Sequence, residues 1–183
     1  GSGKTTLLNI MSGLLKPTSG TVFVEGSDIY SLSTSERDDI RLNRIGMIFQ
    51  EHSLIVDFTV RENVELILRV RGFGSRSRVM AIEALERVGI AHLQDRYPRQ
   101  LSGGEAQRVG IARAIAGDRP ILLADEPTGQ LDRRNSQMVF ELLRALAEDE
   151  KGRTVVLSSH DPTAKEYAHR SCELVDGHLE DSC

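Results

Sequence analysis

A chain of 183 residues with a formal net charge of −4 is long enough for one domain with its own apolar core, and it advertises no basic surface for nucleic acid. No apolar run nears the ~20 residues that a membrane-spanning helix needs. The two cysteines, Cys172 and Cys183, have no metal-like spacing and suit a reducing compartment.

The chain opens on Gly1-Ser2-Gly3-Lys4-Thr5-Thr6, which fills the second half of the phosphate-loop pattern G-x-x-x-x-G-K-[ST]. Glycines let backbone N–H groups curl around phosphate oxygens with no Cβ in the way. Lys4 would set a point charge on the β- and γ-phosphates, and the Thr5 hydroxyl would hold a magnesium ion. A helix over residues 5–15, with Leu7, Met11, Leu14 and Leu15 on one face, would aim its N-terminus at the same phosphates. On their own these residues also read as a flexible Gly/Ser lead into an ordinary helix.

Residues 16–20 form a turn, residues 21–24 a short strand, and Glu25-Gly26 turns the chain again. Ser33 with Glu36 makes a capping box for a helix to about Arg44. Residues 45–49 read as a buried strand that ends on Gln50. The pattern then turns helical. Thr59 and Glu62 form a second capping box, ahead of an apolar stripe at Val60, Val64, Ile67 and Leu68. Residues 72–75 break that helix, and another carries Ala81, Ala84, Leu85 and Val88 to a stop at Gly89. Residues 51–100 thus read as a mostly helical insert.

From Leu101 helix and strand alternate again. A helix from Glu105 stops at residues 117–120. Residues 121–124 are apolar without alternation, as a strand covered on both faces should be. A helix bearing Val139, Leu142, Leu143 and Leu146 leads to a strand over residues 154–158. Asp176-Gly177 reads as the type I′ turn of a closing hairpin. Such alternation predicts an α/β domain with a mostly parallel sheet.

Two acids, Asp125 and Glu126, follow the apolar strand directly, where α/β sheets bind ligands. Asp125 would complete a magnesium shell, and Glu126 would polarise a water in line with the γ-phosphate. Leu101-Ser102-Gly103-Gly104-Glu105, then Gln107-Arg108, offers a second phosphate-binding helix start. Its plainer reading is an N-capped helix after a glycine turn. One nucleotide needs one such cradle, and the chain has two. The second serves either the far side of the same cleft or a nucleotide held by another subunit.

Taken together, the phosphate-loop half, residues 101–108 and Asp125-Glu126 resemble the ATP-binding domain of ABC transporters, for which Leu-Ser-Gly-Gly-Glu is the signature. The resemblance implies a P-loop NTPase core with an inserted helical subdomain, divided as residues 1–50, 51–117 and 118–183. It implies ATP and Mg2+ as ligands, with Gln50 as the Q-loop residue that senses magnesium and the membrane partner. Asp132, in Leu131-Asp132, matches the D-loop, and His160 the switch histidine that touches the γ-phosphate. Two copies would close head to tail, so that Ser102, Gly103 and Gly104 act in trans. The implied setting is the cytoplasmic face of a membrane, beside a transmembrane permease docked near Gln50 and residues 51–58.

Residues 124–132 are similar to the lipoprotein-releasing, macrolide-exporting and FtsE-type subgroup, although Gln130 stands where that subgroup has a small residue or asparagine. An FtsE-like regulator of an envelope complex, with no cargo, is the alternative. A DNA-repair relative would place a long coiled coil before the signature, and a translation factor would need tandem copies. The family's first strands and its adenine-stacking aromatic residue would precede Gly1. A piece without them is expected to be poorly stable and to hydrolyse little ATP, and an inert gene fragment is a further reading.

Overall fold

The computed structural model describes residues 2–182. Gly1, one of the phosphate-loop candidates, and Cys183 lie outside the described residues. A parallel three-stranded sheet organises the rest: β3 (Ile45–Ile48), β4 (Ile121–Asp125) and β5 (Thr154–Ser158), in that order, with β4 in the middle. Short antiparallel pairs flank it, β1 (Phe23–Val24) with β2 (Ser27–Asp28) and β6 (Ser171–Val175) with β7 (His178–Ser182). Asp176 and Gly177, at φ 46 and 82, make the expected type I′ turn of the last hairpin.

Alternation along the sheet sends side chains to opposite faces. Leu122 and Ala124 face one apolar cluster together with Ile48, whereas Leu123 and Ile45 face another. Both faces are covered, so β4 lacks the polar alternation of a half-exposed strand. On one side lie α1 (Lys4–Met11) and the β1–β2 hairpin, packing Leu8, Val24 and Ile29. On the other lie α5 (Gly103–Ile115) and α6 (Arg133–Ala147). The cluster on this second side runs on without a break into α3 (Val60–Val70) and α4 (Ser77–Arg87). Val60, Val64, Leu68 and Leu85 are fully buried there, each contributing about 1.5–3 kcal/mol of transfer free energy.

Local chemistry sets the helix starts. The Ser33–Glu36 box opens α2 (Thr34–Arg44), and the Thr59–Glu62 box opens α3. In each the hydroxyl accepts the backbone N–H of the glutamate while that carboxylate accepts the N–H of the cap residue, so two orphan donors are met at once.

Helix α1 is shorter than its apolar pattern suggests. It ends at Met11, and Gly13 turns left-handed at φ 76. Leu8 is the residue it buries, while Leu14 and Leu15 are 52% and 45% exposed. The Tyr30 hydroxyl lies 2.6 Å from the Ile10 carbonyl and 2.5 Å from that of Leu15, and so fixes the turn. The first strand also shrinks, from the expected residues 21–24 to Phe23–Val24.

Gly46 lets α5 lie directly on β3. A Cβ there would overlap the Ala114 carbonyl oxygen and sit 2.8 Å from a Leu122 methyl. Gly46→Ala should therefore destabilise the full-length protein by about 1–3 kcal/mol. The measurement is the urea midpoint at constant m, and an unmoved midpoint would mean that α5 yields without cost.

Candidate active site

Parallel register brings the ends of all three strands to one edge. Ile48 pairs with Ala124, and Asp125 with Ser158. Three chemically different segments therefore meet there: Phe49-Gln50, Asp125-Glu126 and Ser159-His160.

Glu126 leaves the strand at φ 46, a left-handed value that costs a non-glycine residue energy and survives only when its surroundings enforce it. Ser158 supplies that enforcement. The Glu126 N–H donates to the Ser158 carbonyl at 3.1 Å and to its hydroxyl oxygen at 3.2 Å. The same hydroxyl donates to Asp125 Oδ1 at 2.8 Å. Ser158 thus orients both acids. Sequence reading passed it over as the last residue of a strand; the signal was a polar residue closing an apolar run.

The Glu126 carboxylate, largely shielded, lies between two basic groups. Lys4 Nζ is 3.4 Å from Oε1. His160 Nδ1 is 2.7 Å from Oε2, and the His160 backbone N–H donates to that oxygen at 3.2 Å. A proton on Nδ1 lets the ring donate to the carboxylate. Lys4 opens the first helix, while Glu126 and His160 follow the ends of the central and last strands of the sheet, and the fold gathers them at one point. Gln50 is exposed, with its amide against the turn after Glu126: a Cβ on Gly129 would lie 2.9 Å from Gln50 Nε2. That turn is closed by the Gly129 N–H on the Glu126 carbonyl at 3.1 Å.

Beside this cluster α1 begins. Gly3 takes φ 97 as its N-cap and no side chain caps the helix. The Leu7 N–H bonds the Gly3 carbonyl at 2.9 Å, while Thr5 and Thr6 are exposed and Ser2 is half-buried. An uncapped helix start with a lysine beside it has the donor chemistry of a phosphate seat. Thr5 carries a hydroxyl and Asp125 a carboxylate, hard-oxygen donors of the kind magnesium takes when phosphates supply the rest. Among the described residues no group of three or more His, Cys, Asp or Glu is placed to hold a metal ion.

Ser102, Gly103 and Gly104 lie at the start of α5. A third capping box forms, in which the Ser102 hydroxyl accepts the Glu105 N–H at 3.3 Å and donates to Glu105 Oε2 at 2.8 Å. The Ser102 backbone N–H and then its hydroxyl hold the Glu105 carboxyl below its ordinary range. Asp132 caps α6, accepting the Asn135 N–H at 2.9 Å and its amide at 2.8 Å, and the backbone bond first of all lowers its pKa. Asn135 also fills the space beside Gly104, where a Cβ would be 2.6 Å from Asn135 Oδ1. Sequence reading did not single out Asn135, whose neighbours are set only by the packing of α5 and α6. Among the described residues no hydrogen bond or ion pair joins the Ser102–Gly104 group to the Lys4–Glu126–His160 group.

The profile of the ABC transporter family matches residues 1–129. The lipoprotein-releasing system ATP-binding protein LolD of Blochmanniella floridana is 45% identical over 180 residues, covering 98% of this chain and 76% of the relative. The ABC transporter ATP-binding protein MJ0796 of Methanocaldococcus jannaschii is 43% identical over 188 residues, covering 98% of this chain and 78% of the relative. A dimeric post-hydrolysis structure of MJ0796 bound to ADP and Pi superposes with a TM-score of 0.86 at 39% identity, over 98% of this chain and 81% of that one.

Proposed function

Because this chain belongs to the ABC transporter family, as an ATP-binding and ATP-hydrolysing cassette, we propose that its sheet edge is the hydrolytic half of a site completed by a second copy. The observation that carries the reading is Glu126 held between Lys4 and His160 at the end of β4. Lys4 and the α1 amides bind the β- and γ-phosphates. Glu126 accepts a proton from the attacking water, and His160 orients Glu126 and reaches the γ-phosphate. Thr5, Asp125 and Gln50 are the groups that would hold Mg2+, which neutralises phosphate charge when bound.

The lack of any hydrogen bond or ion pair between Ser102–Gly104 and the Lys4 group among the described residues supports a head-to-tail dimer, in which each copy lends its α5 N-terminus to the nucleotide of the other. Asp132 then lies at the dimer seam. The solved MJ0796 structures are dimeric, which supports a dimer here as well. The similarity to lipoprotein-releasing ATPases supports work beside a transmembrane permease in an envelope-export complex. Among the described residues no helix is long and apolar enough to cross a membrane, and a peripheral subunit has no need of one.

Two individually inactive variants of the full-length protein test the shared site. Lys4→Ala spoils only the phosphate loop of its own copy, and Gly103→Asp only the α5 start it lends. Mixing the two regenerates one complete site per mixed dimer, so hydrolysis is expected to return. A mixture as inactive as its components would place both halves of the site in one chain.

A further inference from the structure

The segment between Gln50 and α3 is strained and pinned to the flank of α5. His52 and Ser53 are successive non-glycine residues in the left-handed region, at φ 51 and 47. Such pairs persist only where neighbours impose them. Arg113, on α5, provides one restraint, donating to the His52 carbonyl at 2.8 Å and to that of Ser53 at 2.6 Å. The second is a side-chain bond, His52 Nδ1 to Gln107 Oε1, at 2.5 Å. Gln107 is fully buried, and its Nε2 has no hydrogen-bond partner among the described residues. His52 is therefore the whole of what satisfies that amide.

We propose that His52 is a positioning residue, which ties the Gln50 loop to α5 and so sets where the N-terminus of α5 presents Ser102, Gly103 and Gly104 to the other copy. One connected run of contacts carries the assignment. The turn after Glu126 abuts Gln50 at Gly129. Gln50 is two residues from His52 in the chain, and His52 grips α5 one helical turn from Gly104, through Gln107. A rearrangement at the hydrolytic cluster thus has a short mechanical route to the group lent across the dimer. His52 touches neither phosphate loop nor Glu126, so its loss should alter turnover rather than ATP affinity.

The inference rests on the shared-site reading above, and mixed dimers separate the two. One full-length subunit carries Glu126→Gln, leaving a single live site that uses the α5 start of that subunit. With His52→Ala on that same subunit, turnover is expected to fall about fivefold, the value of one hydrogen bond, with KM for ATP unchanged. With His52→Ala on the other subunit, turnover should hold. His52→Asn keeps a donor where Nδ1 was and should restore the rate. Equal loss from both placements, no loss from either, or failure of the asparagine rescue overturns the proposal. Mixed dimers that are inactive with His52 intact would instead indict the shared site.

A cycle in the ordinary homodimer needs no such assumption. His52→Ala and Gln107→Leu should be strongly non-additive in kcat, and additive losses overturn the link. If His52→Ala is too unstable to assay, His52→Phe fills the space without a donor, and full turnover in it has the same meaning.

Discussion

Full-length protein carrying Glu126→Gln is expected to bind ATP at least as well as its parent and to hydrolyse it roughly 10²–10⁴ times more slowly, the range a positioned general base supplies. The substitution is nearly isosteric. The amide oxygen still accepts from His160, so the left-handed turn at residue 126 and its bonds to Ser158 have no reason to shift. What disappears is the negative charge, and with it the proton acceptor. Lys4 loses the ion pair it makes at 3.4 Å, which leaves its ammonium freer for phosphate. ATP should therefore accumulate unhydrolysed in a closed dimer. Single-turnover hydrolysis, equilibrium nucleotide binding and light scattering with and without ATP read the three effects. A kcat close to that of the parent would remove Glu126 from the role.

Lys4→Ala should produce the opposite pattern, a loss of binding. A hydrogen bond to a charged group contributes about 1.5–3 kcal/mol, so the ATP affinity of the full-length protein should fall roughly 10- to 100-fold. Stability should barely change, because the Lys4 side chain is 33% exposed and a screened ion pair of that kind is worth about 0–1 kcal/mol. Lys4→Arg should not restore binding, since a planar fork does not replace a compact ammonium in a backbone cradle. Titration with a fluorescent nucleotide, alongside a thermal melt, separates the two quantities. Full affinity in Lys4→Ala would reject the phosphate-clamp role, and a large drop in melting temperature would reassign the lysine to structure.

Much of this protein is decided locally, and the sequence by itself therefore determined it. Each capping box needs only a hydroxyl and a glutamate three residues apart, so the starts of α2 and α3 were legible before any packing was known. The Asp176-Gly177 turn needs only two residues that tolerate positive φ. The strand Thr154–Ser158 was placed to the residue by its apolar β-branched run. The acids after β4 and the glycines around Lys4 and Ser102 carry their chemistry in residue type and spacing, so candidate roles could be named from them.

Only the tertiary structure decided how these parts meet. A pattern counted through Ser12-Gly13 extended α1 by four residues, because periodicity does not register a left-handed glycine, nor the Tyr30 hydroxyl that ties the Ile10 and Leu15 carbonyls on either side of it. Nothing near Ser158 in sequence announces that its hydroxyl will orient Asp125 and Glu126, which lie more than thirty residues away and meet it through strand register alone. The nearness of Lys4 to Glu126, of Asn135 to Gly104 and of His52 to Gln107 depends on how helices cross the sheet. Those distances follow from burying both faces of β4 at once, a constraint on the whole chain that no local stretch contains.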